Sequence, residues 1–309
     1  MIYVSDYKEG DKLTAQLLVV SSLKGVTNNG LSYLTLELRD SSGSINAKKW
    51  EVTPSDEEIF VAGNVIEANF EVIFYKTSLQ LKVFSAKKVD EKDIDISKFA
   101  KQPPVPYEEL IKKLKSHIDS ISERDIKKVL IHILTKFKDK FLNHPGASSI
   151  HHEYQHGLLH HTVSMADHAA YFASYYPNID KDLLIAGTLL HDVGKTIELE
   201  GTVVYKYSLE GKLLGHISMI NAEIEKAKAE LNINSEQIIL LQHMVLSHHG
   251  QLEYGSPVLP ETKEALLLYL IDNVDSKMVI VEKALEVTEL GAFSNKVYAL
   301  DGRSFYKHK

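Results

Sequence analysis

The 309-residue chain contains no cysteine. That excludes a disulfide scaffold, a zinc–thiolate site and a thiol nucleophile. It also suits a reducing compartment, so the cytoplasm is the expected location. No apolar run reaches membrane-spanning length, and the opening MIYVSDYKEGD lacks the basic-then-apolar pattern of a secretory leader. No membrane association is expected. An excess of positive charge is missing too. Thirty-five Lys and Arg against 42 Asp and Glu leave a formal net charge of −7. No global basic field gathers nucleic acid, so a polyanionic substrate would need local basic residues and bound cations. Proline is sparse, with eight residues, and three of them (Pro103, Pro104 and Pro106) fall within four positions. What remains is ordinary for a folded chain with a real core: 44% hydrophobic and 25% charged residues.

The pattern changes once along the chain. Residues 1–90 read as β, with LSYLTLEL, SINAKKW, VIEANFEVIFY and SLQLKVF as short, roughly alternating runs rich in branched and aromatic residues. Turn signals separate them at Asn28-Asn29-Gly30, Asp40-Ser41-Ser42-Gly43 and Ala62-Gly63-Asn64. About five short strands in so few residues suggest a small all-β barrel of the OB-fold kind. The polar, proline-containing stretch 91–106 reads as a linker. From Tyr107 to the end at 309 the period becomes helical. Ile111, Leu114, Ile118 and Ile121 share one face, and Ile126, Val129, Leu130, Ile133, Leu134 and Phe137 share the next. Further helices are expected near 157–176, 180–197, 215–231, 235–249 and 260–288. TVVYKYSLEGKLLGH, centred on Glu210-Gly211, reads as a β-hairpin between them. The chain is thus expected to be multidomain, a small barrel followed by a mostly α-helical domain.

Histidine is abundant. Twelve of the 15 lie between His144 and His249. His191-Asp192 sits in LLIAGTLLHDVGK, at the end of an apolar helical stretch, where a buried aspartate is costly unless it is paired or holds a cation. His161 lies in GLLHHTVSM, next to His160. His216 follows Gly215. His248-His249 end SEQIILLQHMVLSHHG, with Gly250 as a natural C-cap. Asp272 closes the apolar face of LLLYLIDNVDSK. His243, among apolar neighbours, reads as structural. Lys195 follows Asp192 by three residues; it suits either a helix C-terminus or a contact to phosphate.

The ordered series His161, His191-Asp192, His216, His248-His249, Asp272 resembles the HD-domain metal-dependent phosphohydrolases, specifically the subset with two metals. The resemblance implies that His161, His191, Asp192 and Asp272 hold one ion. Asp192, His216, His248 and His249 would hold the other, with Asp192 as the bridge. His-rich, carboxylate-bridged, thiolate-free sites suit Mn²⁺, Fe²⁺ or Co²⁺, and Mg²⁺ less well; the family favours Mn²⁺. It also implies hydrolysis by a hydroxide activated between the two ions, with Asp192 and Lys195 as catalytic residues. Some HD nucleases line the substrate pocket with a His-His-x-Tyr segment, which here gives His152 and Tyr154; a polar loop before the helix is the other reading.

On the barrel, alternation turns Leu34, Leu36, Leu38, Ile45 and Ala47 inward. Tyr33, Lys48 and Trp50 then face out, an arrangement on which single-stranded bases can stack while Lys neutralises phosphate. Trp50 could instead pack under a loop. A barrel of this kind before a two-metal HD domain is similar to the YhaM-type 3′–5′ exoribonucleases, over nearly the whole chain. The resemblance implies release of nucleoside 5′-monophosphates from the 3′ end of single-stranded RNA, with single-stranded DNA as a second candidate. Two other readings remain: an HD phosphohydrolase of small or cyclic nucleotides, for which the barrel has little use, and a non-catalytic RNA-binding protein, which would not need the complete series. The C-terminal GAFSNKVYALDGRSFYKHK has apolar residues without an obvious local partner, which suggests a homo-oligomer.

Overall fold

The computed structural model describes residues 2–27, 29–76, 78–95, 98–99, 105–146, 154–201 and 205–309. It divides into two compact units, Met1–Gln102 with Gly201–Lys206, and Pro103–Glu200 with Tyr207–Lys309.

The first unit is a closed five-stranded barrel with strand order β1-β2-β3-β5-β4. Its strands are β1 (Lys12–Val26), β2 (Ser32–Asp40), β3 (Gly43–Trp50), β4 (Val65–Tyr75) and β5 (Ser78–Lys88). Closure depends on the length of β1. Its first half, Lys12–Leu18, pairs with β4, and Leu18–Val26 pairs with β2. A parallel β3–β5 ladder completes the ring. This is an OB-fold. The alternation read from the sequence holds: Leu34, Leu36, Leu38, Ile45 and Ala47 are buried in the barrel core with Phe70 and Leu81. β1 is the strand the sequence does not announce. Leu17, Leu18 and Val19 are all buried, so the period-2 signal is lost where the strand crosses from one neighbour to the other. A short helix, α1 (Pro54–Ile59), follows β3. It starts at a capping box in which Thr53 and Asp56 satisfy each other's backbone N–H.

The second unit is helical. Its lead-in comprises α2 (Tyr107–Ser120), α3 (Arg124–Lys136) and α4 (Lys138–Asn143). The main bundle comprises α5 (Gly157–Tyr175), α6 (Lys181–Leu190), the single turn α7 (Lys195–Glu198), α8 (Leu209–Glu230), α9 (Glu236–Ser247) and α10 (Lys263–Glu286). α6 is the centre. Every residue from Leu183 to Leu190 is buried, as expected for a helix that is apolar all round. Asp180 caps its start by accepting from the Leu183 N–H. α6 packs against α3, α5, α9 and α10.

Two expectations need correction. The hairpin centred on Glu210-Gly211 is not formed. Those residues lie in the first turn of α8, where Ser208 caps the helix by accepting from the Gly211 N–H. The two-stranded sheet lies earlier, between β6 (Leu199–Glu200) and β7 (Lys206–Tyr207). The helix expected over 180–197 is broken at His191–Gly194 into α6 and α7. The C-terminal segment also finds local partners, through bridges Phe293–Tyr306 and Val297–Arg303. Tyr298 and Leu290 remain exposed. No helix among the described residues is long and apolar enough to cross a membrane.

Candidate metal centre

Helix ends bring the histidines together. His191 is the C-cap of α6 and His248 the C-cap of α9. The last turn of a helix leaves carbonyls without intrahelical partners. Each histidine donates its Nδ1–H to one of them, His191 to Thr188 O at 2.8 Å and His248 to Val245 O at 2.7 Å. His249 does the same to Tyr254 O at 2.7 Å. His161, in α5, donates Nδ1–H to Asp275 Oδ2 at 2.7 Å, and Asp275 is itself held by the Ser164 hydroxyl. His216 follows Gly215, whose φ 71° and ψ 153° interrupt α8, and donates Nδ1–H to Glu198 Oε1 at 3.1 Å.

A neutral imidazole that donates from Nδ1 carries a lone pair on Nε2. All five rings therefore present lone pairs, and these converge. His161 Nε2 and His191 Nε2 are 3.3 Å apart. His161 Nε2 is 3.6 Å from Asp192 Oδ2 and 3.5 Å from Asp272 Oδ1, and His191 Nε2 is 3.4 Å from Asp192 Oδ2. On the other side His216 Nε2 and His248 Nε2 lie 3.4 and 3.7 Å from Asp192 Oδ1. The ligand atoms of His161, His191 and Asp192 all lie within 4.8 Å of one another, as do those of His216, His248 and His249. Asp192 thus turns one carboxylate oxygen toward each group.

Such an assembly of lone pairs and carboxylate oxygens, with His161, His191, Asp192, His216 and His248 buried, is repulsive without positive charge. Asp192 Oδ1, His216 Nε2 and His248 Nε2 are buried with no hydrogen-bond partner among the described residues. Buried polar atoms are otherwise nearly always paired. Divalent cations satisfy the set: N and O donors, no sulfur, and a donor nitrogen already oriented by its outer partner. The carboxylates leave a negative field that favours positive charge on the His191 side. Burial disfavours the charged imidazole of His191, but Asp192 and Asp272 outweigh it and raise its pKa. Burial, with His249 and His191 nearby, keeps His248 far below the ordinary value and so neutral.

Lys195 opens α7 and reaches back to Asp192 Oδ2 at 2.6 Å, with Gly146 O at 3.2 Å. Burial opposes its charge, but Asp192 holds its pKa above the ordinary value. Burial likewise opposes ionisation of Asp192, and Lys195 and His191 drive its pKa well below the usual range.

The other expected contacts are scattered. His152 lies outside the described residues. The Tyr154 hydroxyl is hydrogen-bonded to Nδ1 of His160, the neighbour of His161, and burial, with Asp275 and Glu282, raises the phenol's pKa. His243 accepts from the Glu261 N–H at 2.9 Å, a structural role. On the barrel, Tyr33 pairs with Trp50 and Thr35 with Lys48 in the β2–β3 ladder, and Lys48 pairs with Lys82 of β5. The Tyr33 and Trp50 rings are 5.1 Å apart, and Lys48 Nζ is 4.5 Å from the Tyr33 ring centroid. Phe84, on the same face as Lys82, extends the aromatic row onto a third strand. Trp50 and Phe84 are each 45% exposed, so Trp50 is not packed under a loop.

Sequence reading missed Asp275, Glu198, Lys82 and Phe84. Asp275 had a signal, a second acid three residues after Asp272 and so on the same helix face. Glu198 had none, because it meets His216 only through the fold.

Residues 158–277 match the HD domain family. The barrel is similar in part to the solution structure of the second OB-fold domain of replication protein A from Methanococcus maripaludis. The match has 20% identity and a TM-score of 0.25, covering 30% of this chain and 96% of that one. The chain thus joins an OB-fold barrel to an HD domain, whose buried His/Asp clusters are those of a metal-dependent phosphohydrolase.

Proposed function

We propose that this protein is a metal-dependent 3′–5′ exoribonuclease that releases nucleoside 5′-monophosphates from single-stranded RNA, with single-stranded DNA as a second candidate substrate. The observation that carries the reading is the division of Asp192 between two groups of histidine lone pairs, on the same chain as a barrel with an exposed aromatic and basic row. The domain division we propose is 1–90 for the barrel, 91–106 for the linker and 107–309 for the hydrolase.

His161, His191, Asp192 and Asp272 would hold one divalent ion, and Asp192, His216, His248 and His249 the other; the donor set suits Mn²⁺, Fe²⁺ or Co²⁺, and the resemblance to the two-metal HD enzymes favours Mn²⁺. When bound, the ions supply Lewis acidity toward a phosphoryl oxygen and lower the pKa of water. The protein's own groups do the rest. Asp192 orients through both oxygens. Lys195, held cationic beside Asp192, would take a phosphate oxygen when substrate enters. Asp275 and Glu198 fix the tautomer of His161 and His216. On the barrel, Tyr33, Trp50 and Phe84 offer stacking faces to successive bases, and Lys48 and Lys82 offer charge to the backbone between them. The 3′–5′ direction and the monophosphate product rest on the resemblance to the YhaM-type enzymes.

The test is a digestion of 5′-labelled single-stranded RNA with Mn²⁺, alongside 3′-blocked and duplex controls. The expected result is a ladder that shortens from the 3′ end and is absent from the blocked substrate. Asp192→Ala is expected to lose both metal and turnover. Inertness toward RNA with turnover of a free or cyclic nucleotide would establish the small-nucleotide reading instead.

A further inference from the structure

We infer that Glu198 is the positioning residue for one half of the metal centre, and that it controls whether the second ion is held. This rests on the two-metal reading above. Among the histidines that converge on Asp192, His191, His248 and His249 lean on backbone carbonyls. For His191 and His248 those supports are the helix ends themselves, and for His249 it is the Leu252–Tyr254 turn that follows α9. His161 and His216 lean on carboxylates, Asp275 and Glu198. Each half therefore contains one carboxylate-backed histidine.

His216 depends on its carboxylate more than His161 does. Gly215 leaves the helical conformation just before it, so the His216 N–H loses the carbonyl that an unbroken α8 would provide. Glu198 Oε1 accepts that N–H at 3.1 Å and also the ring Nδ1–H at 3.1 Å. One oxygen thus fixes both the backbone and the ring of the same ligand. Glu198 is in turn fixed by its own backbone. Its N–H donates to Gly194 O at 3.0 Å and its carbonyl accepts from Ser208 N at 2.9 Å. The carboxylate is buried. Without it, two buried donors of His216 lose their partner, and the ring is free to move the proton to Nε2, where it can no longer ligate a cation.

The consequence is selective. Loss of Glu198 empties the His216/His248/His249 half and spares the His161/His191 half. Loss of Asp275 does the reverse.

The experiment compares full-length wild type, Glu198→Ala, Glu198→Gln and Asp275→Ala. In chelator-treated, ¹⁵N-labelled protein, long-range ¹H–¹⁵N correlation spectra report each imidazole tautomer. After Mn²⁺ titration, elemental analysis and calorimetry report ions per chain and their affinities. The expected result for wild type is His216 protonated on Nδ1 and two ions bound. Glu198→Ala is expected to give a mixed His216 tautomer and one ion. Glu198→Gln keeps an acceptor oxygen, so it should keep the tautomer and bind the second ion roughly 10–100-fold more weakly. Asp275→Ala should disturb His161 and leave His216 unchanged. The inference is overturned if Glu198→Ala keeps the wild-type His216 tautomer and both ions at wild-type affinity, or loses both ions together. Should Glu198→Ala fail to fold, unchanged second-ion affinity in Glu198→Gln overturns it. A tautomer change at His216 in a protein whose wild type holds fewer than two ions would refute the two-metal reading and leave the Glu198 clamp standing.

Discussion

At the scale of single residues, the centre depends on which nitrogen of each histidine carries a proton. That choice is made by an outer partner in every case, whether carbonyl or carboxylate. The inner residues were legible because a metal set uses few residue types in a fixed order. Apart from Asp275, the partners were not, because a carbonyl has no sequence identity and Glu198 meets His216 across 18 positions. The same contact places a steric demand on Gly194. Its φ of −57° and ψ of −24° suit alanine, so conformation is no obstacle. A Cβ there would instead lie 2.2 Å from the His216 carbonyl oxygen, a backbone atom that cannot swing away. Gly194→Ala is therefore expected to destabilise the protein by about 2 kcal/mol or more and to weaken metal binding, as read by urea denaturation and Mn²⁺ titration. A variant as stable as wild type would show that α8 shifts freely.

At the scale of elements, alternation exposed four strands and helical period exposed the bundle. Both signals fail where burial is not one-sided. β1 is such a case, since it is buried on both faces in mid-strand. The mistaken hairpin is another. Glu-Gly resembles a turn, but Ser208 satisfies the Gly211 N–H and so makes Gly211 part of a capped first turn. The α2–α3 junction shows how a carboxylate can serve as a cap across helices. Asp182 Oδ2, from the first turn of α6, accepts from the Ser122 N–H, the Ser122 hydroxyl and the Glu123 N–H at 2.7–2.8 Å. Burial opposes its ionisation, but these bonds outweigh it and hold the pKa below the ordinary value. A depressed folded-state pKa gives stability that is complete above the unfolded value and fades as pH falls through the folded one. Asp182→Ala should thus cost about 1–2 kcal/mol at pH 7. The gap from wild type should narrow as pH falls below about 4. Urea midpoints at both pH values measure it; a gap that stays constant would refute the assignment.

At the scale of the whole molecule, a barrel with an exposed stacking row and a helical unit with a buried metal centre occupy one chain. Trp50 is the single tryptophan and is 45% exposed, so its fluorescence reports on the barrel alone. Addition of single-stranded RNA is expected to quench it. Phe84→Ala should weaken that binding roughly tenfold, because one base–aromatic stack contributes on the order of 1–3 kcal/mol. The variant should leave cleavage of a small chromogenic phosphodiester unchanged. Quenching with wild-type affinity in Phe84→Ala would place the strand elsewhere on the barrel.

The central claim is that Asp192 joins two ions. Anomalous diffraction from crystals soaked in Mn²⁺ tests it most directly. The account predicts two peaks, one among His161, His191 and Asp272 and one among His216, His248 and His249, each in contact with a different oxygen of Asp192. A single peak, or two peaks that do not share Asp192, would contradict it.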